Sequence, residues 1–300
     1  MEQKKEFLWR GSPAAVLHLE GEDCFSYLQS QVTNKISEVS GSCTYALCLN
    51  RKGKVLADCY IFTINESDFY LLSYFIEASE LLEIIENNII ADDVDIEEVT
   101  KNYELLTFFN HESNHCIEDK NVYHGDFREK VYFQGNRGIE CSYEVLVWSE
   151  EKSSESNKEV SNFQGSIDLG GELLDRCRIE AKIPKVGVDI KERHLPQEGG
   201  LEAMALHFNK GCYLGQEVMA RIHAQGKVNR RLVLLQIKHI YDFSFPMNVV
   251  VSESKKVVGE ITSGFTIDGG VVCLGVLRKS LLQEKLVILD HPDIEIIILD

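Results

Sequence analysis

From Arg231 onward the chain reads as short β-branched runs, RLVLLQI, MNVVVSESKKVVGEI, GGVVCLGVL and KLVILDHPDIEIIIL, separated by turn chemistry such as Ser252-Glu253-Ser254-Lys255-Lys256 and His291-Pro292-Asp293. Valine and isoleucine are stiff at χ1 and fit a pleated surface, so these runs predict strands. Several short strands joined by tight turns predict a small antiparallel barrel or sandwich. The boundary of this region is expected near Gly226 to Asn229, giving residues 1–226 as one region and residues 227–300 as a C-terminal barrel domain.

The first third has a different rhythm. In GEDCFSYLQSQVTN, Phe25, Leu28 and Val32 recur at helical intervals after a Gly-acid turn, which predicts a short amphipathic helix. Next, YALCLNRKGKVLADCYIFTI is two apolar runs around Asn50-Arg51-Lys52-Gly53, a hairpin with a polar turn, and FYLLSYF continues the strands. IEASELLEIIENNIIADDVDIEEV carries Leu81, Leu82, Ile84, Ile85 and Ile89 on one broad face, ends as a helix near Asn87-Asn88, and resumes as a strand from Val94. Strand, strand, helix, strand implies α+β layers rather than a doubly wound parallel sheet. The Ser-rich, charged stretch at 149–162 reads as an exposed loop.

A formal charge of −17 over 300 residues repels a phosphate backbone, so direct nucleic-acid binding is disfavoured. The N-terminal stretch lacks the apolar run of a signal peptide and no later run has the length of a membrane span, so a soluble cytoplasmic protein is expected. Nine cysteines with no CxxC pair imply reduced thiols and no structural zinc.

One of those thiols stands in unusual company. In FNKGCYLGQEVMARI, Gly211 and Gly215 permit sharp turns on either side of Cys212 and Tyr213, and a helix is expected from QEVMARI. Cys212 then lies just before a helix N-terminus with Lys210 two residues away, and both features stabilise a thiolate. The alternative is that Cys212 is a small buried apolar residue and Lys210 a solvated charge. The segment is not a Walker loop, whose GxxxxGK[ST] order is missing. His207 and His223 flank it, which leaves a Cys-His hydrolase open as well.

The segment KGCYLGQE, Lys210 to Glu217, resembles the KGCYxGQE signature of the folate-binding YgfZ family, relatives of the glycine-cleavage T-protein (aminomethyltransferase). RIEAKIPKVGVDI resembles that family's R-x-E-x-x-x-P-x-x-G-x-[DE] stretch, with LPQEGGLE following before the signature, and GEDCFSYLQSQVTN and LNRKGKVLADCYIF resemble its N-terminal segment and hairpin. The resemblance runs from about Leu19 to Arg278. It implies an α+β, T-protein-like multi-domain body around a central hole with a C-terminal antiparallel β-barrel. It also implies tetrahydrofolate or a one-carbon derivative as ligand, and a role in assembling or repairing iron–sulfur clusters of client enzymes, among them radical enzymes that modify tRNA.

By the same resemblance, Lys210, Cys212, Tyr213, Gln216 and Glu217 form the functional signature, with Cys212 foremost. Glu140 in NRGIECSYE is the counterpart of the T-protein glutamate that holds the pterin amino groups, and Arg178 faces the folate or supports the domain junction. T-proteins carry an adjacent acidic pair in the hairpin, where this chain reads Leu56-Ala57-Asp58-Cys59 and keeps one acid. That departure favours an accessory protein without independent turnover, partnered by iron–sulfur client enzymes or assembly proteins. The runner-up is a tetrahydrofolate-dependent aminomethyltransferase or demethylase using Asp58 as acid or base.

Overall fold

The structure is a computed structural model and describes residues 7–109, 119–138, 142–148, 167–168, 170–238 and 243–299. The loop read at 149–162 lies outside these residues. Body strands are β1 (Phe7–Gly11), β2 (Ala15–Glu20), β3 (Ser42–Leu49), β4 (Val55–Asn65), β5 (Asp68–Ser73), β6 (Asp95–Glu98), β7 (Tyr103–Phe109), β8 (Tyr123–Gly125), β9 (Lys130–Gly135), β10 (Ser142–Trp148) and β11 (Ile167–Asp168). Helices α1 (Cys24–Gln31) and α2 (Ala78–Glu86) interrupt the first strands, and α3 (Gly171–Glu180), α4 (Glu202–Ala205) and α5 (Gln216–Gln225) follow the last.

Two sheets result. One is five-stranded in the order β3-β4-β5-β2-β6, the other six-stranded in the order β11-β1-β7-β10-β9-β8. They enclose an aromatic core that joins Tyr60, Phe62 and Tyr70 of the first to Tyr103, Phe133 and Leu146 of the second. Phe62 meets Tyr123, Phe127 and Phe133 edge-on with centroids 5.5, 5.3 and 5.0 Å away, an arrangement that adds to area burial because ring edges and faces carry opposite partial charge.

The opposite face of the five-stranded sheet is covered by the helices. Leu17, Leu47, Ala57 and Ile61 pack there with Leu28 of α1, Leu81 and Ile85 of α2, Tyr213, and Met219 of α5. Of the expected Phe25, Leu28 and Val32, Leu28 and Val32 are buried in this core and Phe25 packs half-buried against it, while Cys24 and Tyr27 of α1 are buried as well. The Tyr27 hydroxyl, turned inward, donates to the Ile85 carbonyl of α2. Val32 sits in extended backbone beyond the helix.

Strands β12 (Arg230–Lys238), β13 (Met247–Val251), β14 (Val257–Ile267), β15 (Gly270–Arg278), β16 (Leu286–Ile288) and β17 (His291–Ile298) close into a six-stranded barrel in the order β12-β15-β14-β13-β16-β17. Closure removes the unpaired edges that an open sheet of this composition would expose. Val233, Leu235, Ile237, Val249, Ile261, Val271 and Leu277 fill its interior. Ile179 of α3 packs on Leu274 and Val272 of β15, and Val276 of the same strand reaches the helix-side core of the body, so barrel and body share apolar surface.

Candidate functional site

Asp58 lies on β4 two residues before Tyr60, and the period of a strand points both side chains the same way. The carboxyl is 4% exposed. Tyr45 of β3 donates to Oδ2 at 2.9 Å, while Oδ1 has no hydrogen-bond partner. Burial of so poorly matched a charge pushes the carboxyl up to about 6. Around it stand Tyr45, Tyr60, Tyr74 and Phe75, and the Tyr74 hydroxyl is a second buried group without a partner.

This narrow space, about 10 Å³, is the inner end of a larger recess. Asn136, Ile183, Pro184 and Leu201 line it and also line a cavity of about 690 Å³ that continues past Lys182, Gln197, Met204 and Arg231. The recess is thus walled by both sheets of the body, by the segment after α3, and by the first strand of the barrel. The inner end, with its aromatic walls, orphaned acceptor and orphaned hydroxyl, has room for about one water, while the outer volume is of drug-sized-ligand scale. Asp58 Oδ1, the Tyr74 hydroxyl and Gln197 Oε1 are buried polar groups of the recess lining without a hydrogen-bond partner.

Arg178 takes another place. On α3 and 4% exposed, it pairs with Asp175, donates from Nη1 to Asp189 Oδ2 at 2.8 Å and from Nη2 to Ser263 Oγ of β14 at 2.9 Å. Asp189 is fully buried and also accepts from Thr262 Oγ1 at 2.5 Å, Ser263 Oγ at 2.6 Å and Lys185 N at 2.8 Å. Arg178 therefore ties α3 and the recess wall to the barrel and does not line the recess. Glu140 lies outside the described residues. Four positions on, Glu144 is buried and accepts from Thr107 Oγ1 at 2.5 Å and Ser142 Oγ at 2.6 Å, its carboxyl raised by burial against the opposing pull of Arg137.

The signature segment is built against the first helix and the hairpin. Lys210 Nζ donates to the carbonyls of Val32 and Asn34, each at 2.7 Å, and burial lowers the ammonium to about 8. Tyr213 enters the helix-side core, its hydroxyl unpartnered and pushed up to about 12 by burial. Gly215 caps α5 with φ +84°, and a Cβ there would lie 2.8 Å from the Asn50 carbonyl oxygen and 3.1 Å from the Gly53 Cα at the hairpin tip. Gln216 Nε2 makes long bonds of 3.5 Å to the carbonyls of Lys210 and Gly211, and Glu217 is exposed.

Cys212 is exposed, which overturns the reading of it as a buried apolar residue, and among the described cysteines it alone is exposed. Burial pushes Cys24 and Cys273 up to about 12 by contrast, which makes them poor nucleophiles. Lys210, turned inward to its two carbonyls, is no solvated charge either. The flanking histidines are engaged elsewhere: Asn209 N donates to His207 Nδ1 at 3.2 Å, and His223 stacks on Phe208 with Nδ1 3.1 Å from Glu202. Among the described residues no hydrogen bond joins Cys212 to a histidine, so the geometry gives the hydrolase alternative no support. None of residues 210–217 lines the recess; Leu214 instead lines a separate cavity of about 540 Å³ with Arg51, Glu80, Glu83 and Glu192.

Comparison with known proteins fits this geometry. The fold superposes on the glycine cleavage system aminomethyltransferase T from Bartonella henselae with a TM-score of 0.81, at 14% identity, over 98% of this chain and 84% of that one. The chain has the T-protein fold. Within it, residues 8–119 match the GCVT N-terminal domain. Similar curated proteins include an aminomethyltransferase of a Thermoanaerobacter strain, 23% identical over 82% of this chain and 71% of that protein. Others are the tRNA-modifying protein YgfZ of Buchnera aphidicola, 28% identical over 70% and 66%, and the mitochondrial iron–sulfur cluster assembly factor IBA57 homolog of Coccidioides immitis, 25% identical over 76% and 56%. The T-protein fold thus carries, in its relatives, both transferase and iron–sulfur names.

Tyr45, Tyr74 and Asn136 of the recess were not read from the sequence. For Tyr45 and Tyr74 a usable signal existed, since each polar aromatic interrupts an otherwise apolar strand or its end. Asn136 had none.

Proposed function

We propose that this chain is a folate-binding accessory protein of iron–sulfur cluster assembly or repair, supporting cluster-dependent clients such as tRNA-modifying radical enzymes in the cytoplasm. Residues 1–226 supply the folate-binding region and residues 227–300 the barrel that closes it. The observation that carries the reading is a division of labour: a recess with an orphaned buried carboxylate, and an exposed cysteine outside it on the turn before α5. Tetrahydrofolate or a one-carbon derivative occupies the recess, with Asp58 Oδ1 accepting a ligand N–H. Cys212 meets the client, where a soft thiolate suits iron. One thiol cannot hold a cluster alone, so the remaining ligands come from the client or assembly protein.

Calorimetric titration with tetrahydrofolate tests the ligand. Binding by the wild type that weakens at least tenfold in Asp58→Asn and Tyr74→Phe supports the recess; binding unchanged in both removes it. Activity of iron–sulfur enzymes in a Cys212→Ala strain tests the role, and normal client activity would defeat it.

The aminomethyltransferase reading keeps one observation in its favour, a carboxyl raised to about 6, which can exchange a proton near neutral pH. Formation of methylenetetrahydrofolate from an aminomethylated or N-methylated amine, lost in Asp58→Asn, would establish it over the accessory role.

A further inference from the structure

Strand β2 alternates strictly. Leu17 and Leu19 are fully buried against the helices, which sends His18 and Glu20 to the other face. Further along that face Val16 and Leu72 belong to the aromatic core between the two sheets, but at the Glu20 end this core runs out. There β5 pairs with β2 in the register His18 with Tyr70 and Glu20 with Asp68. Directly opposed residues of an antiparallel pair share a face, so His18, Glu20 and Asp68 meet at the rim of the sandwich.

The three donor atoms lie within 4.8 Å of one another. The His18 ring is laid flat on Tyr70, with centroids 4.2 Å apart and planes 12° apart, which fixes the plane of its nitrogens. Its Nε2 is 2.9 Å from Asp68 Oδ1. Around an ion with bonds of about 2.1 Å, neighbouring octahedral ligands are about 3.0 Å apart and opposite ones about 4.2 Å. The His18–Asp68 spacing is therefore that of two neighbouring ligands, and the exposed Glu20 lies within 4.8 Å to join them.

We propose that His18, Glu20 and Asp68 bind a divalent first-row transition-metal ion at the edge of the β2–β5 pair. The edge strand β6 reinforces the site, because Glu97 stands opposite His18 and Asp95 opposite Glu20, both exposed on that face. Four carboxylates therefore share this end of the face with one imidazole, and a cation relieves their mutual repulsion. One imidazole with carboxylates selects manganese, iron, cobalt or zinc over magnesium and calcium, which take oxygen ligands. Glu20 is on the solvent side, so water completes the coordination. The ion clips two neighbouring strands and so stabilises the folded chain in proportion to its occupancy.

The test uses the metal-free full chain in a Cys212→Ser background, so that the exposed thiol does not compete. Zn²⁺ is titrated by calorimetry, Co²⁺ by absorption, and the melting temperature is followed with and without Zn²⁺. The expected result is one equivalent of Zn²⁺ bound, a Co²⁺ spectrum free of thiolate charge transfer, and a metal-dependent rise in melting temperature. Affinity should fall at least about tenfold in His18→Ala and in Glu20→Gln, and the rise should be lost. Glu20 is exposed, so that second variant keeps the fold if His18→Ala disturbs it. Equal affinity in both variants, a thiolate band, or no binding at millimolar Zn²⁺ would overturn the proposal.

Discussion

Two buried aspartates, one at the barrel seam and one in the recess, are solved in opposite ways. Asp189 is wrapped by Arg178, Thr262, Ser263 and the Lys185 amide, so both of its oxygens are matched. Asp58 has the Tyr45 hydroxyl and nothing on its second oxygen. Satisfying a buried charge makes it a structural joint, while leaving it half satisfied raises its proton affinity and keeps an acceptor open. The first aspartate holds the molecule together; the second is available to a ligand.

The sharpest way to break this contrast is to remove Arg178. Arg178→Ala leaves Asp189 buried without its counter-charge, and an expected loss of about 3–5 kcal/mol in denaturant unfolding follows. A loss below about 1 kcal/mol would mean that the hydroxyls and the amide suffice. Asp58→Asn should act with the opposite sign. The folded carboxyl is raised to about 6 from an ordinary 3.8, so its contribution to stability is present below about 3.8 and is lost as pH rises through about 6. The asparagine never ionises, so the variant should be about 3 kcal/mol more stable than wild type at pH 8 and equal to it below about pH 3. Stability curves of the two proteins against pH check this, and parallel curves would show that Asp58 is already compensated.

A smaller effect is expected from Tyr45→Phe, which strips Asp58 of its one donor and should cost about 1 kcal/mol at pH 8. The double variant with Asp58→Asn reads the coupling directly. Smallest of all, Cys212→Ser should change stability by less than about 0.5 kcal/mol, because an exposed thiol has little packing to lose. Unfolding midpoints of the single variants order all four effects.

Much of the frame was legible because it rests on period and punctuation. The β3–β4 hairpin, α2, and the β-branched strands of the barrel follow from alternation, helical spacing and turn residues. Strands β8 to β10 follow one another as local hairpins, at Gly125-Asp126 and after Gly135, whereas β7 pairs with β1 and β10 across long stretches of chain that turn residues do not mark. At the site, the signature pointed to Lys210 and Cys212 but not to where each would turn. Lys210 points inward to two carbonyls of the bend after α1, 178 and 176 residues earlier in the chain, a separation that hides them from any local pattern. That Asp58 would be orphaned and Asp189 satisfied depends on Thr262 and Ser263, more than seventy residues beyond Asp189 in the chain, and no local pattern announces such partners.

The approach of Gly215 to the hairpin tip bears on how this protein can change. A side chain added at 215 would meet the Asn50 carbonyl and the Gly53 Cα, which are main-chain atoms that no exchange of side chains at the tip can move. A suppressor screen begun from Gly215→Ala should therefore return the original codon, or changes in the length of the turn, and no compensating substitution at positions 50 or 53. The two loops are bound to a shared inheritance: the exposed thiol's turn and the strand that carries Asp58 can be redesigned together, but not one at a time.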